Sequence, residues 1–243
     1  MLMMKTRELK NFKYAGHTHI GNVRNENEDA FEYIETVNGS VFIVCDGMGG
    51  VKGGKLAAET AVSEIKRFIS EEWFEDPKDL LTESIIRANN RVHELFPDAL
   101  IKAGTTVVVA LIRQNTIWYA HAGDSRLYYF TGKKLFQLTK DHSYVSELLD
   151  QKKISQEEAL IHPRKNEITK ALGTNDFIDP TICNSPLEPA DSDYLLLCTD
   201  GLTNELTNKE ISDILADDAD VEEKCEELKD KALEKGGLDN ITV

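Results

Sequence analysis

The sequence Val41-Phe42-Ile43-Val44-Cys45-Asp46-Gly47-Met48-Gly49-Gly50 is a short apolar run that ends in a carboxylate and a glycine-rich corner. The run is bounded by turn residues and is too short for a helix, so it predicts a buried strand. Asp46 is then delivered at the end of a sheet, where burial of a lone carboxylate is costly unless a cation or a donor compensates it. This mismatch is the first indication of a metal site.

A second stretch has the same design. The apolar run from Tyr194 to Cys198 leads through Thr199 into Asp200-Gly201. An Asp-Gly pair taken alone is most often a tight hairpin turn. Two such pairs, each preceded by an unusually apolar strand, instead favour two carboxylates that emerge from one core.

Length and composition are those of a folded protein. The chain has 243 residues, of which 41% are hydrophobic and 29% are charged, and no linker rich in proline or glycine divides it. This composition argues against disorder and predicts a single domain over residues 1–243. The net charge of -15 argues against a nucleic-acid surface and against binding to anionic lipid membranes. We expect a monomer.

The four cysteines are widely spaced, which indicates neither a zinc site nor a disulfide framework. Cys45, Cys183 and Cys198 lie in or beside apolar runs and are predicted to be small core residues. The first residues lack an apolar segment long enough for a secretory signal, and no other run approaches a membrane span. The expected location is therefore the reducing cytoplasm.

Apolar residues at helical spacing predict four main helices, and β-branched runs predict a central block of strands. Proline at position 77 is the expected start signal of the second helix. The first helix begins near Gly54, and the other three span Lys78 to Phe96, Thr207 to Ala216 and Val221 to Glu234. The predicted strands include Thr105 to Ile112, Ile117 to Ala122, Leu127 to Thr131, Leu135 to Leu138, Phe177 to Cys183 and Tyr194 to Cys198.

The order of these elements is not the alternation of a parallel sheet. A mainly polar region, residues 139–174, interrupts the strands and is predicted to be an inserted flap with short helices near Tyr144 to Leu149 and Gln156 to Leu160. The most economical arrangement is an α+β fold: a central sandwich of two antiparallel sheets flanked by pairs of helices.

Further acidic residues stand at predicted strand boundaries: Glu28, Asp29, Asp124 and Asp239. Such residues can converge at one end of a sandwich, and oxygen ligands without His or Cys favour Mg²⁺ or Mn²⁺. Each also has an ordinary explanation. Glu28 and Asp29 would be solvated loop residues, Asp124 and Asp239 would be turn residues, and Arg24 would form an exposed salt bridge.

The order of these stretches along the chain resembles the type 2C family of metal-dependent serine/threonine protein phosphatases, and the region of the flap resembles its bacterial branch. The resemblance covers essentially the whole chain. The matching stretches are Arg24 to Asp29, Val44 to Gly50, Gly104 to Thr106, Gly123 to Arg126, Leu138 to Ser143, Asn166 to Gly173, Thr199 to Asn204 and Asp239 to Val243.

The resemblance implies hydrolysis of phosphoserine and phosphothreonine in proteins, by direct attack of a water that bridges two Mn²⁺ or Mg²⁺ ions. It implies that Asp46 bridges the two ions, that Gly47 and Glu28 help to hold one of them, and that Asp200 and Asp239 hold the other. The expected partners are phosphorylated proteins and a serine/threonine kinase that opposes the enzyme.

The resemblance also assigns supporting roles. Asp124 would join Asp200 in recruiting a third, weaker ion, and Arg24 would bind the substrate phosphate. Asp29 would orient metal-bound water from behind the metal ligands, where Asn240 would also lie.

The chain departs from the family pattern at two places. Some members have a histidine, proposed as a general acid, where this chain has Met48. Protonation of the leaving group would then fall to a metal-bound water, and His142, which is predicted to be structural, is a weaker candidate. The chain stops at Val243, so we expect a short last strand that would hold Asp239 more loosely. A catalytically silent regulatory module with the same fold is the alternative function, and a purely structural acidic sandwich is a third.

Overall fold

A computed structural model describes residues 5–9, 12–49, 53–96 and 103–243, so Gly50 lies outside the described part. The helices are α1 (Gly53–Glu71), α2 (Pro77–Leu95), α3 (Tyr144–Asp150), α4 (Gln156–Leu160), α5 (Asp200–Thr203), α6 (Asn208–Ala216) and α7 (Val221–Lys235). The strands are β1 (Lys5–Leu9), β2 (Phe12–Gly16), β3 (Thr18–His19), β4 (Ala30–Thr36), β5 (Gly39–Cys45), β6 (Gly47–Met48), β7 (Gly104–Thr105), β8 (Val107–Arg113), β9 (Thr116–Ala122), β10 (Arg126–Thr131), β11 (Lys134–Gln137), β12 (Thr181–Ile182), β13 (Tyr194–Cys198) and β14 (Ile241–Thr242).

The larger sheet has the strand order β12-β9-β8-β5-β4, and every neighbouring pair in it is antiparallel. In β5, Val41, Ile43 and Cys45 belong to the core that the sheet shares with α1 and α2. Val44 points to the other face, where it packs with Val108 and with Leu127 of the second sheet. Both faces of β5 are thus covered, which explains its continuous apolar sequence.

Helices α1 and α2 cover the outer face of this sheet. Ala57, Ala58 and Ala61 of α1 are fully buried, so small side chains allow the helix to pack closely, as the sequence predicts. Asp76 caps α2 by accepting a hydrogen bond from the Lys78 N–H, with Pro77 at the first helical position. No helix in the described part of the chain is both long and apolar enough to cross a bilayer.

The smaller sheet has the order β11-β10-β13, and α6 and α7 close a second core with it. Strand β14 pairs with β3, and Val243 exchanges two backbone hydrogen bonds of 2.9 Å with His17. Two facing antiparallel sheets with helices on their outer sides form the α+β sandwich that the sequence predicts.

The structure excludes one local alternative and shortens one predicted strand. The Asp200-Gly201 pair opens the short helix α5 and does not form a hairpin turn. The strand predicted from Phe177 to Cys183 is reduced to Thr181–Ile182, because Pro180 has no N–H for a ladder and Phe177 is 75% exposed.

The flap, residues 139–174, contains α3 and α4 and returns to its own starting point. At its base Ser143 forms a bridge with Ile168, and the Thr169 N–H donates to the His142 carbonyl at 2.8 Å. The two arms of the flap are therefore joined next to the sandwich, so that its entry and exit are held in register.

Candidate metal centre

Asp46 follows β5 directly, and two threonines hold its backbone. Its N–H donates to the Thr106 hydroxyl at 2.9 Å, and its carbonyl accepts from the Thr105 hydroxyl at 2.9 Å. Burial raises the pKa of the Asp46 carboxyl well above its usual value, and the charges of Asp29 and Asp200 raise it further. The backbone of Asp46 is thus fixed in a place where the negative charge of its side chain is costly.

Asp200 is the first residue of α5, and its carboxyl lies close enough to that of Asp46 for its charge to raise the Asp46 pKa. Its Oδ2 also accepts from the Asn204 side chain at 3.0 Å. Burial, followed by the charge of Asp239, raises the pKa of the Asp200 carboxyl. The two acids that end the two apolar strands therefore meet, as the paired Asp-Gly motifs predict.

Asp29 and Asp124 are both buried, at 9% exposure each. One oxygen of Asp29 accepts from the Thr242 hydroxyl at 2.7 Å and from the Thr199 hydroxyl at 2.9 Å. The other oxygen of Asp29, and Oδ1 of Asp124, have no hydrogen-bond partner within the described residues. Burial is the main cause that raises the pKa of Asp29 to about 7 and that of Asp124 to about 8.

Glu28 lies against the glycine-rich corner and the start of α1. A Cβ on Gly47 would come within 2.6 Å of the Glu28 carbonyl oxygen, and a Cβ on Gly54 within 2.7 Å of Glu28 Oε1. Only glycine allows this approach, and the helix N-terminus favours a carboxylate beside it. Gly47 itself pairs with Thr105 between β6 and β7.

Arg24 reaches the acidic residues from the loop before β4. Its Nη2 lies 2.6 Å from Asp239 Oδ2, and the two side chains are 49% and 31% exposed. This ion pair sits at the open side of the site, where an arginine can also meet a ligand.

Asn240 ties the segment that carries Asp239 to the segment that carries Glu28. Its Oδ1 accepts from the Glu28 N–H at 2.8 Å, and its Nδ2 donates to two carbonyls of the same loop. Gly201 packs so closely on the Asn240 carbonyl that a Cβ there would collide with it. The Asn240 side chain thus links the two acid-bearing segments through hydrogen bonds to backbone groups.

The structure brings the predicted acids together as one acidic cluster: Glu28, Asp29, Asp46, Asp124, Asp200 and Asp239. Within the described residues, no three His, Cys, Asp or Glu side chains are close enough to form a ready-made metal cage. Carboxylates repel one another without a counter-charge, and water completes the shells of hard cations. The two unpartnered buried oxygens and the raised pKa values fit a divalent cation, and the all-oxygen donor set fits Mn²⁺ or Mg²⁺.

Neither Met48, at the place of the family's histidine, nor His142 is suited to donate a proton. Met48 lies in β6 and has no ionisable group. The His142 ring accepts from the Gly123 N–H at 3.1 Å and is 2.9 Å from the Thr181 hydroxyl, so both nitrogens are engaged. Burial lowers the pKa of His142 to about 3, which leaves the ring neutral at physiological pH.

The hydroxyl groups that hold the acids were not predicted from the sequence. Thr105 and Thr106 support Asp46, and Thr199 and Thr242 support Asp29. Threonine is an ordinary strand residue, so its presence alone gave no signal. The usable signal was the presence of polar residues at the ends of strands that are otherwise apolar, because buried polar groups need hydrogen-bond partners.

Comparison with known proteins identifies similar chains over the whole length. The family model described as protein phosphatase 2C matches residues 3–241. Protein phosphatase PhpP of Streptococcus pneumoniae is 38% identical over 235 residues, which is 93% of each chain. The structure of the Streptococcus agalactiae serine/threonine phosphatase aligns with a TM-score of 0.87 at 32% identity, over 100% of this chain and 97% of that one.

A further solved structure contains metal. The catalytic domain of the serine/threonine protein phosphatase PstP, in complex with two manganese ions, aligns with a TM-score of 0.81 at 28% identity. The alignment covers 100% of this chain and 96% of that chain.

Proposed function

The chain belongs to the protein phosphatase 2C family, and from this premise we propose that the acidic cluster is its active site. The protein is a metal-dependent serine/threonine phosphatase, and its family uses Mn²⁺ or Mg²⁺. The observation that carries the proposal is the convergence of Asp46 and Asp200, which end two distant strands and lie close enough for the charge of Asp200 to raise the pKa of the Asp46 carboxyl.

The metal ligands would be distributed as follows. Asp46 would touch both core ions, Glu28 and the Gly47 carbonyl would hold one, and Asp200 and Asp239 would hold the other. When bound, such ions would supply a lowered pKa for a bound water and charge stabilisation for the oxygens of a displacement on phosphorus. Asp124, whose Oδ1 has no partner within the described residues, would take part in a third and weaker site.

The remaining residues bind and orient. Arg24 offers a planar guanidinium suited to phosphate oxygens, and in a chain with a net charge of -15 it supplies local positive charge. Thr105 and Thr106 fix the backbone of Asp46, and the hydroxyl donors to Asp29 fix one of its oxygens. These contacts hold the carboxylates in place when a metal ion binds or leaves and the repulsion between them changes.

The test is Asp200→Asn, a change that preserves the size of the side chain. We expect Mn²⁺-dependent release of phosphate from a phosphothreonine peptide to fall at least about a hundredfold, as for loss of a metal-site group. Asp213→Asn, which removes an acid that is 63% exposed on α6, is the matched control and keeps full activity. Full activity in Asp200→Asn refutes the assignment.

Calorimetry distinguishes the enzyme from a catalytically silent module with the same fold. Titration of the wild-type chain with Mn²⁺ should show binding that Asp46→Asn weakens. The contacts described above favour the enzyme, because a silent module has no physical need to keep six acids close together, four of them with buried carboxyls. Failure of the wild-type chain to bind millimolar Mn²⁺ would favour the silent module.

We also propose the biological setting. The substrates are proteins carrying phosphoserine or phosphothreonine, supplied by a serine/threonine kinase in the same compartment, and the chain acts as a monomer because one chain supplies every proposed site residue. Four buried free thiols support a cytoplasmic location. Deletion of the gene should raise the phosphothreonine content of cytoplasmic proteins, and an unchanged phosphoproteome contradicts this proposal.

A further inference from the structure

His142 stands at the base of the flap and holds the turn that carries Asp124. Its backbone N–H donates to the Gly123 carbonyl at 3.0 Å, and its ring Nδ1 accepts from the Gly123 N–H at 3.1 Å. Two hydrogen bonds to the same residue fix both the position and the rotation of that part of the turn. Gly123 immediately precedes Asp124 in the chain.

The other side of this turn is closed by the core. Gly123 has a φ of +112°, and a Cβ on it would lie 2.6 Å from the Thr106 Cβ. The Thr106 hydroxyl is 2.7 Å from that of Ser125, the residue after Asp124. The turn is therefore packed between Thr106 and His142, and it cannot move toward the core.

The Asp124 carboxyl depends on this turn for its direction. The residue is 9% exposed, and its Oδ1 has no hydrogen-bond partner in the described part of the chain. Because Oδ1 has no side-chain partner to aim it, its position follows from the backbone that carries it. The contact that fixes the backbone thus fixes the metal-binding oxygen.

His142 also belongs to the flap. Its carbonyl accepts from the Thr169 N–H of the returning arm at 2.8 Å. Its ring stacks on buried His121 with a centroid distance of 4.5 Å and an interplanar angle of 3°. Since Nδ1 accepts a hydrogen bond, the neutral ring carries its proton on Nε2 and donates to Thr181, 2.9 Å away.

We propose that His142 is a positioning residue, which sets the Asp124 carboxylate through Gly123 and makes the weaker metal site depend on the base of the flap. The inference rests on the proposed function, since it takes Asp124 as a ligand of that site. It assigns to His142 a mechanical role in place of proton donation.

Two variants separate the ring nitrogens. The side-chain amide of His142→Asn can place an acceptor where Nδ1 stands and keep the Gly123 contact. The longer side chain of His142→Gln places its amide near Nε2 and loses that contact. Thr181→Val removes only the partner of Nε2, and it serves as the control outside the metal site.

The first readout is the Mn²⁺ concentration that gives half-maximal activity, measured with separate kcat and KM values for p-nitrophenyl phosphate. We expect His142→Gln to raise it roughly tenfold, as for loss of an outer contact to a metal ligand. His142→Asn and Thr181→Val should stay within about twofold of the wild type. A purely structural role would lower the active fraction in both histidine variants without moving this concentration. That result, or an equal shift in both, overturns the proposal.

The second readout needs no metal and no activity. Hydrogen exchange at the Gly123 amide, followed by NMR in metal-free protein, should be slow in the wild type and in His142→Asn and fast in His142→Gln. Fast exchange in the wild type overturns the inference even if neither variant folds. A wild-type chain without Mn²⁺-dependent activity would refute the proposed function, while the exchange result would still stand for or against the His142 contact.

Discussion

Arg24 donates from Nη2 to Asp239 Oδ2 at 2.6 Å, although both side chains are largely accessible. A charge-assisted hydrogen bond to a substrate phosphate contributes about 1.5–3 kcal/mol. We therefore expect Arg24→Ala to lower kcat/KM for a phosphopeptide by roughly ten- to a hundredfold, mainly through KM. Arg24→Lys should retain only part of the wild-type kcat/KM, because a point charge cannot bind two oxygens in parallel.

The stability of the Arg24 variants gives the control. An exposed ion pair contributes about 1 kcal/mol or less, so chemical denaturation should show nearly wild-type unfolding free energies. An Arg24→Ala enzyme with an unchanged KM would show that phosphate binds elsewhere.

The stacked pair His121 and His142 predicts how stability depends on pH. Burial is the main cause that lowers both pKa values, that of His142 to about 3 from an ordinary 6.5. The unfolded chain therefore takes up protons first as the pH falls. The contribution is fully present above pH 6.5 and is lost below it, by at most about 2 kcal/mol from His142 at pH 5.

The measurement is the unfolding free energy of metal-free wild type, His142→Asn and His162→Gln between pH 8 and pH 5. The difference between wild type and His142→Asn should shrink as the pH falls through 6.5. His162→Gln, a flap substitution outside the stack, should leave the slope of the wild type unchanged. A difference that is constant with pH contradicts the assigned cause.

At the scale of elements, sequence periodicity was sufficient where a local pattern and its packing agree. The buried alanines of α1 and the Pro77 start of α2 follow directly from the sequence. Helix α5 could not be predicted, because Asp200-Gly201 prefers a turn locally and becomes helical through its packing on Asn240. Likewise Asp46 could be identified from its strand, whereas its partner Thr106 required knowledge of register between distant strands.

Helix α7 offers a test of an element that supports the site from a distance. The Asp220 side chain accepts hydrogen bonds from the N–H groups of Glu222 and Glu223, and the Glu223 side chain accepts one from the Asp220 N–H. Loss of such a cap in Asp220→Ala should lower the unfolding free energy by about 1 kcal/mol, whereas Asp220→Asn keeps the cap.

Loss of the cap at the start of α7 should leave activity unchanged, because Asp239 lies beyond the other end of the helix. Its 15 residues span about 22 Å, so the cap lies far from Asp239. The Mn²⁺ dependence of Asp220→Ala should match that of the wild type, and a shift in it would mean that the cap acts on the metal site.

At the scale of the whole molecule, the fold brings negative charges from distant parts of the chain together in the acidic cluster. Mn²⁺ at a hundred times its dissociation constant should add about 2.7 kcal/mol to the free energy of unfolding. For a chain of this size, this raises the melting temperature by roughly 5–10 °C. Metal-free Asp46→Asn should be more stable than metal-free wild type at pH 8, because one buried negative charge beside Asp29 and Asp200 is gone.

Calorimetric melting with chelator and with excess Mn²⁺ checks both expectations. The stabilisation by Mn²⁺ should be much smaller in Asp46→Asn than in the wild type. A metal-free Asp46→Asn that melts at or below the wild-type temperature would show that charge repulsion does not limit the stability of the fold.

The bond between Arg24 and Asp239 also sets the order in which the metal ion and the substrate bind. A cation that takes the Asp239 oxygen releases the guanidinium, whereas a phosphorylated protein that comes first meets an arginine already occupied beside uncompensated negative charge. Kinetics should thus follow a compulsory order with the ion ahead of the substrate. In a cell short of manganese and magnesium, the idle chain would leave phosphorylated proteins free for other readers and would not trap them unhydrolysed.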